Sequence, residues 1–394
     1  MRSGKMAVCL LALLLLGGCA FMQPVKPLRS VQPPAPPQPA EQRDPPAPPD
    51  PKELRCARAE EIFEEMSEEE RIGQLFFVAC PEGDGQTLLQ TDHPGGLLLF
   101  RKDFQDSGGT WLTEQQFRQK LDGFQQASAI PLLLGADEEG GTVTRASRNP
   151  NLFPQKQPSP QQLFRAGGIE GLLETTERYQ RELLALGLNV NLAPVADVCT
   201  EPQAFIYERA FGQDASATAD YVADVVRTMN QTGIGCVLKH FPGYGNNADT
   251  HIGPAFDERP LEQLRKEDLL PFRAGIEAGA GAVLVSHNIV KALDPALPAS
   301  LSPASYRLLR EELGFQGVAM TDDLAMEALQ TDTAAGNAAV LALKAGADLL
   351  ITPDCSAQIS EVQAALREGL LSPERIREAN IRILCWKLEL GILR

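Results

Sequence analysis

Eight short apolar runs, each followed by a stretch of helical periodicity, constrain this chain more than any other feature. The runs are Ile72–Val78, Gly96–Phe100, Pro131–Asp137, Leu188–Ala193, Gly235–His240, Ala282–His287, Val318–Asp322 and Asp348–Thr352. Helical patterns cover Glu53–Glu69, Glu114–Ser128, Ile169–Leu186, Ser216–Thr232, Leu261–Ala278, Ser302–Leu313 and Thr333–Ala345. Strands separated by a helix run parallel, because the helix carries the chain back across the sheet before the next strand begins. Eight such units in about 340 residues predict an α/β fold, a single (β/α)8 barrel of the TIM type. An open doubly wound sheet is the alternative. It would favour a G-x-G-x-x-G turn after an early strand, and none occurs. The last helix has its own punctuation, with Ser372 to cap it, Pro373 in its first turn and apolar positions continuing to Ile392.

Polar residues gather where the apolar runs end, which in such a barrel is where active sites form. The third run ends at Asp137, followed by Glu138-Glu139-Gly140-Gly141 and Arg145. The fourth leads to Asp197, and its loop carries Glu208-Arg209. The fifth ends at Lys239-His240, the sixth at Ser286-His287-Asn288, and the seventh at Thr321-Asp322-Asp323. Asp322 should emerge at the barrel mouth, as nucleophile, general base or metal ligand. Asp323 points the other way if the pleat persists, with helix capping as its ordinary use.

The densest of these endings is Val237–His251, reading VLKHFPGYGNNADTH. A buried strand delivers Lys239 and His240. Phe-Pro-Gly and Gly-Asn-Asn then break regular structure, and the loop closes on Asp249-Thr250-His251. The chain has 4 histidines, and two of them lie here. A carboxylate two residues from an imidazole is the pairing that fixes a tautomer and raises basicity for acid–base catalysis, although spacing alone does not establish contact. A metal site built from His240, His251, His287 and Asp322 is the rival. Barrel metallohydrolases usually carry H-x-H after the first strand, and none occurs near Val78.

Residues 1–18 and 19–52 read as separate from the barrel of 53–394. Arg2 and Lys5 precede an apolar run, Met6–Leu16, that is too short for a comfortable membrane span. It ends Leu16-Gly17-Gly18-Cys19, which resembles a bacterial lipobox. That resemblance implies cleavage before Cys19, lipid modification of it, and an exported protein anchored to the membrane and facing away from the cytoplasm; a plain secretory signal is the alternative. From Pro24 to Pro51, 12 of 28 residues are proline. Such a segment favours extended polyproline II and serves as a semi-rigid spacer of up to about 90 Å, or as a ligand for a proline-binding module.

A formal charge of −16 argues against nucleic acid, whose phosphates need a basic face, and against binding an anionic membrane through the protein surface. An uncharged substrate suits this balance. Beyond Cys9 and Cys19, the cysteines are Cys56, Cys80, Cys199, Cys236, Cys355 and Cys385. None forms C-x-x-C, so no zinc or redox motif is indicated. An exported chain is free to form disulfides, and the spacing assigns no pairing.

Lys239-His240-Phe241-Pro242-Gly243 followed by Asp249-Thr250-His251 resembles the K-H-F-P-G-H-G…D-[ST]-H signature of glycoside hydrolase family 3. Further stretches agree in family order: Gly95–Phe100, Asp137–Gly141 with Val143 and Arg145, Asn191–Val195 with Asp197, Arg209 with Phe211-Gly212, and Leu313-Gly314-Phe315 through Thr321–Leu324 with Met326. The resemblance runs from about Glu69 to the C-terminus. It implies a retaining exo-β-N-acetylglucosaminidase acting on cell-wall fragments or other amino-sugar oligosaccharides. Asp322 matches the nucleophile, and Asp249 and His251 match an Asp-His dyad with His251 as acid/base, in place of the usual second carboxylate. Asp137, Arg145, Arg209, Lys239 and His240 match positions that bind sugar hydroxyls, and His287 a further pocket position. No metal or organic cofactor is required.

Two departures stand out. Tyr244 replaces the second histidine of the signature, and the loop from Gly245 to Asp249 is about one residue shorter than the common form. Three other readings stay open at this level: a β-glucosidase, a phosphorylase of the same family, and a glycan-binding lipoprotein with a decayed site.

Overall fold

The computed structural model describes residues 50–83, 85–245, 253, 255–326, 329 and 338–394. Eight strands lie parallel in one sheet: Phe76–Ala79, Gly96–Leu99, Leu133–Ala136, Val190–Asn191, Gly235–Phe241, Ala282–Val285, Val318–Thr321 and Leu350–Thr352. They are numbered first to eighth below. Each of the first six pairs with the next, and the eighth pairs with the first through Phe76–Leu350 and Phe77–Ile351. A parallel bridge between Met320 and Leu349 joins the seventh strand to the residues entering the eighth, and Thr321 donates its amide to the Leu349 carbonyl at 3.0 Å. The circle of strands therefore closes. This is the α/β barrel expected from the alternation of runs.

Sequence and structure differ mainly at element ends. Ile72 belongs to a helix, Glu68–Gly73, and the first strand starts at Phe76. Ser67 starts that helix with a reciprocal cap, its hydroxyl accepting from the Glu70 amide while the Glu70 carboxylate accepts from the Ser67 amide. The cap divides the expected Glu53–Glu69 helix into Pro51–Glu65 and Glu68–Gly73. The helix expected over 261–278 is likewise two pieces, Leu261–Lys266 and Leu269–Glu277. Of the helix expected over 333–345, the described part is Ala338–Ala345.

The strand interiors are apolar and fully buried, as strands covered by helices must be. The N-terminal end of the barrel is closed by the last helix, Pro373–Glu389, whose Trp386 ring lies so close to Gly235 and Gly281 that a Cβ at either would stand 2.8 or 2.2 Å from it. The C-terminal end carries the longer loops.

Candidate active site

A cavity of about 550 Å³ opens at the C-terminal ends of the strands. Its base is apolar, with Leu98, Leu192, Leu284 and Ile351 contributed by four different strands and their ends. Above them the wall carries Asp137, Arg145, Arg209, Lys239, His240 and Asp322. Residues far apart in the chain share this wall because they lie at or beyond the ends of the third, fourth, fifth and seventh strands, and parallel strands all end on one face.

Lys239 is the centre of the charged cluster. Its ammonium is 2.7 Å from Asp137 Oδ1 and 2.6 Å from Glu139 Oε1, and the side chain is 2% exposed. Glu139 is buried and also holds Arg209 in a two-point grip, Nε at 3.0 Å and Nη2 at 2.8 Å. Burial alone would raise the Glu139 pKa, but the adjacent Arg209 and Lys239 charges outweigh it and hold the carboxyl well below its ordinary range. Burial acts to lower the Arg209 value, and Glu139 reverses that, leaving it well above the ordinary guanidinium range. Two basic side chains thus share one buried carboxylate.

His240 is oriented from both sides. Its Nδ1 lies 2.7 Å from Asp197 Oδ2 and its Nε2 lies 3.0 Å from Arg209 Nη2. A guanidinium only donates, so Nε2 accepts and Nδ1 carries the hydrogen that Asp197 receives. Asp197 also accepts the amides of His240 and Tyr244 at 3.2 and 2.7 Å. Lys239 and His240 both line the cavity although neighbours on a regular strand face opposite ways; the pairing with the sixth strand slips between Leu238 and Phe241.

Arg145 is presented by a loop that Glu138 organises. Glu138 Oε2 accepts the backbone amides of Arg145 and Ala146, both at 2.8 Å, and Oε1 is bonded by the Ser147 hydroxyl. Burial raises the Glu138 pKa against the lowering effect of these donors. The Glu138 backbone is bonded to the Asn191 side chain through both its amide and its carbonyl, each at 3.0 Å. Arg145 Nη2 reaches Asp137 Oδ2 at 3.4 Å, a long contact beside the tight Lys239 pair.

Asp322 follows the seventh strand and lines the cavity. Its amide donates to the Val285 carbonyl at 3.0 Å, and its Oδ1 accepts the Asp323 amide at 2.9 Å. His287 follows the sixth strand. It is fully buried, with Nδ1 2.6 Å from the Ser300 hydroxyl and Nε2 2.8 Å from the Asp323 carbonyl, next to Asp322 in the chain. Asp249, His251 and Cys19 lie outside the described residues, as do Asn246, Asn247 and Ala248.

The loop after the fifth strand explains one departure in the sequence. Tyr244 is buried among Val195, Cys199, Ile206 and Ala210, and its ring meets His240 edge-on at 5.2 Å. Gly243 and Gly245 on either side have φ of 121° and 54°. A Cβ on Gly243 would stand 2.6 Å from Asp268, and one on Gly245 2.4 Å from Arg259. Arg259 joins Asp257 and Asp268 at 2.6 and 2.7 Å, so the loop rests on a pinned ionic bracket.

In the sequence Glu139 and Asp197 stand only as polar neighbours of other candidates. The signal for them was indirect: a buried Lys-His pair at a strand end needs anions nearby. Among the described residues, no group of three or more His, Cys, Asp or Glu side chains is arranged to hold a metal ion.

A closed parallel barrel with a charge-lined cavity at its strand ends is the framework of a barrel enzyme for a small polar substrate. The model of the glycosyl hydrolase family 3 N terminal domain matches residues 67–385, and the chain belongs to that glycoside hydrolase family. It is 36% identical over 249 residues to a β-hexosaminidase of Stenotrophomonas maltophilia, covering 61% of this chain and 70% of the relative. It is 30% identical over 346 residues to the β-hexosaminidase LpqI of Mycobacterium tuberculosis, covering 84% of this chain and 86% of that one. Among solved structures it is similar to a family 3 β-N-acetylglucosaminidase from a Paenibacillus species, with a TM-score of 0.76 and 32% identity. That match covers 83% of this chain, which spans 63% of the length of the Paenibacillus protein.

Proposed function

We propose that the protein is a retaining exo-β-N-acetylhexosaminidase that removes terminal β-linked N-acetylglucosamine from cell-wall fragments or related amino-sugar oligosaccharides. The observation that carries this reading is the position of Asp322, which shares one cavity with the Asp137–Lys239–Glu139–Arg209–His240 cluster. The β-hexosaminidase relatives support the sugar class.

Asp322 is the nucleophile. Its carboxylate attacks the anomeric carbon as the bond to the leaving oxygen breaks, and His251, in its protonated form and assisted by Asp249, donates the proton that oxygen takes. Water then attacks the glycosyl ester, with the neutral His251 accepting its proton. The oxygen-stabilised cation that develops in the ring is favoured by the anionic Asp322 beside it. Asp137, fixed by Lys239, offers acceptor capacity to sugar hydroxyls, while Arg145, Arg209 and Lys239 offer donors. No step draws on a metal or organic cofactor. In its place of work the chain is exported and held to the membrane by lipid on Cys19, with the proline-rich segment as spacer.

The test is kcat/KM for aryl N-acetyl-β-glucosaminide against aryl β-glucoside, with and without inorganic phosphate. Preference for the N-acetyl sugar, independence of phosphate and loss of turnover in Asp322→Asn support the reading. Preference for the glucoside, or release of a sugar phosphate, removes the specificity or the hydrolytic step respectively. Sugar binding without turnover would make the protein a binder.

A further inference from the structure

Six cysteines lie in the barrel region, and their spacing in the chain assigns no pairs. The fold does. Cys56 sits in the N-terminal helix Pro51–Glu65 and Cys385 in the last helix Pro373–Glu389, and their sulfurs lie 3.6 Å apart. Both are half-buried on the seam between the two helices. Cys80, Cys236 and Cys355 are buried on other elements, with thiols directed at oxygens of Pro81, Asn230 and Asp92. Cys199 is buried near the barrel mouth beside Tyr244.

We propose that Cys56 and Cys385 are joined by a disulfide in the protein outside the cytoplasm. Two thiols in van der Waals contact need only a small side-chain adjustment to bond, whereas the helices that carry them are already packed. The step is an exchange with an external disulfide, such as oxidised glutathione or a disulfide oxidoreductase. One thiolate attacks a sulfur of the oxidant to give a mixed disulfide and release one thiol; the second thiolate then displaces the other. The protein loses two protons and two electrons in all, and the oxidant leaves as two thiols. Burial, reinforced by Cys56, pushes the Cys385 thiol up to about 12, so attack from that side is slow and a catalyst speeds the pairing.

The place of the bond suggests its purpose. The N-terminal helix is held by a small apolar cluster of its own, Ala59, Phe63 and Met66 against Leu384, outside the main core. It is also the element that follows the proline-rich segment. A crosslink between positions 329 residues apart restrains the unfolded chain strongly, since the loop it closes is almost the whole domain. It fastens the attachment helix to the barrel and leaves the distant catalytic cavity untouched.

The experiment uses the full chain, equilibrated with oxidised and reduced glutathione, then denatured in N-ethylmaleimide, digested without reductant and read by mass spectrometry. The expected product is one peptide pair joining Cys56 to Cys385, with Cys80, Cys199, Cys236 and Cys355 alkylated. In the folded protein, the oxidised form should melt on the order of 5 °C above the reduced form. Cys56→Ser should remove that difference while leaving kcat/KM unchanged. Recovery of Cys56 and Cys385 as separate alkylated peptides after oxidation, or of either paired with another cysteine, overturns the proposal. So does a melting difference that survives in Cys56→Ser.

Discussion

The two ends of the barrel each bury an ionic cluster, and the clusters are built on opposite principles. At the N-terminal end Asp348 is fully buried, with Arg310, Arg375 and Arg382 at 2.5, 2.7 and 3.0 Å and the Ala319 amide at 3.0 Å. One carboxylate serves four donors and its acceptor capacity is spent. Burial, with repulsion from Arg382 and Arg375, pulls Arg310 below its ordinary value even though Asp348 opposes this. At the C-terminal end Lys239 and Arg209 share Glu139, but Asp137, met by Lys239 at Oδ1 and only at 3.4 Å by Arg145 at Oδ2, remains partly exposed on the cavity wall. The closed cluster joins elements together. The open one keeps bonding capacity for a visitor, at the cost of holding several charges out of water.

Four variants put this contrast between the two ends to the test. With Asp322 as the proposed nucleophile, Asp322→Asn should lower kcat by about 10⁴-fold while changing the melting temperature less than Asp348→Ala does, because an amide of the same shape replaces the carboxylate. Loss of activity through unfolding would count against the division between the two ends.

Asp348→Ala should do the reverse. It strands three guanidinia and should cost about 3–5 kcal/mol in chemical denaturation, with near-normal kcat/KM at low temperature in the fraction that stays folded. A stable Asp348→Ala protein with a damaged KM would mean that the floor cluster reaches the cavity.

Glu139→Gln tests the middle ground, since it leaves Lys239 and Arg209 short of their shared anion. A fall of about 100-fold in kcat/KM, with less destabilisation than Asp348→Ala, is the outcome expected if the pair is positioned chiefly for substrate. Equal destabilisation by the two variants would make the mouth cluster as structural as the floor.

Lys387 should have the smallest effect, and a pH-dependent one. It is fully buried, bonded to Gln74 Oε1 and the Pro131 carbonyl at 2.7 Å each, and burial pulls its pKa down to about 7. Between that value and the ordinary lysine range the unfolded chain binds more protons than the folded one, so this group makes stability rise as pH climbs from about 7 towards 10. The rise should be on the order of 2 kcal/mol in urea titrations and should flatten in Lys387→Met. An unchanged slope would show that the site is solvated.

Much of the fold was legible in the chain because apolar runs and helical periods report burial directly. Strand ends were less so. Ile72 continues an apolar run but is helical, because the Ser67–Glu70 cap starts a helix that the hydrophobic pattern does not announce. The candidate site was legible as positions rather than as contacts. Asp137, Arg145, Arg209, Lys239, His240 and Asp322 could be read as strand-end residues, and all line one cavity. His287 has the same signature, but its bonds to Ser300 and the Asp323 carbonyl could not be read from the chain, since a strand end says where a residue lies and not what its ring meets.

By itself, then, the sequence determined the alternation of strand and helix, the family motifs and the set of polar residues available at the barrel mouth. Those are local properties, written in spacing and residue type. Packing in three dimensions was needed for Glu139 to serve both Lys239 and Arg209, for Asp197 to set the His240 tautomer, for Tyr244 to fill an apolar cluster, and for Cys56 to meet Cys385. Each of these joins residues whose separation in the chain carries no information about their distance, and closure of the barrel is what brings them together.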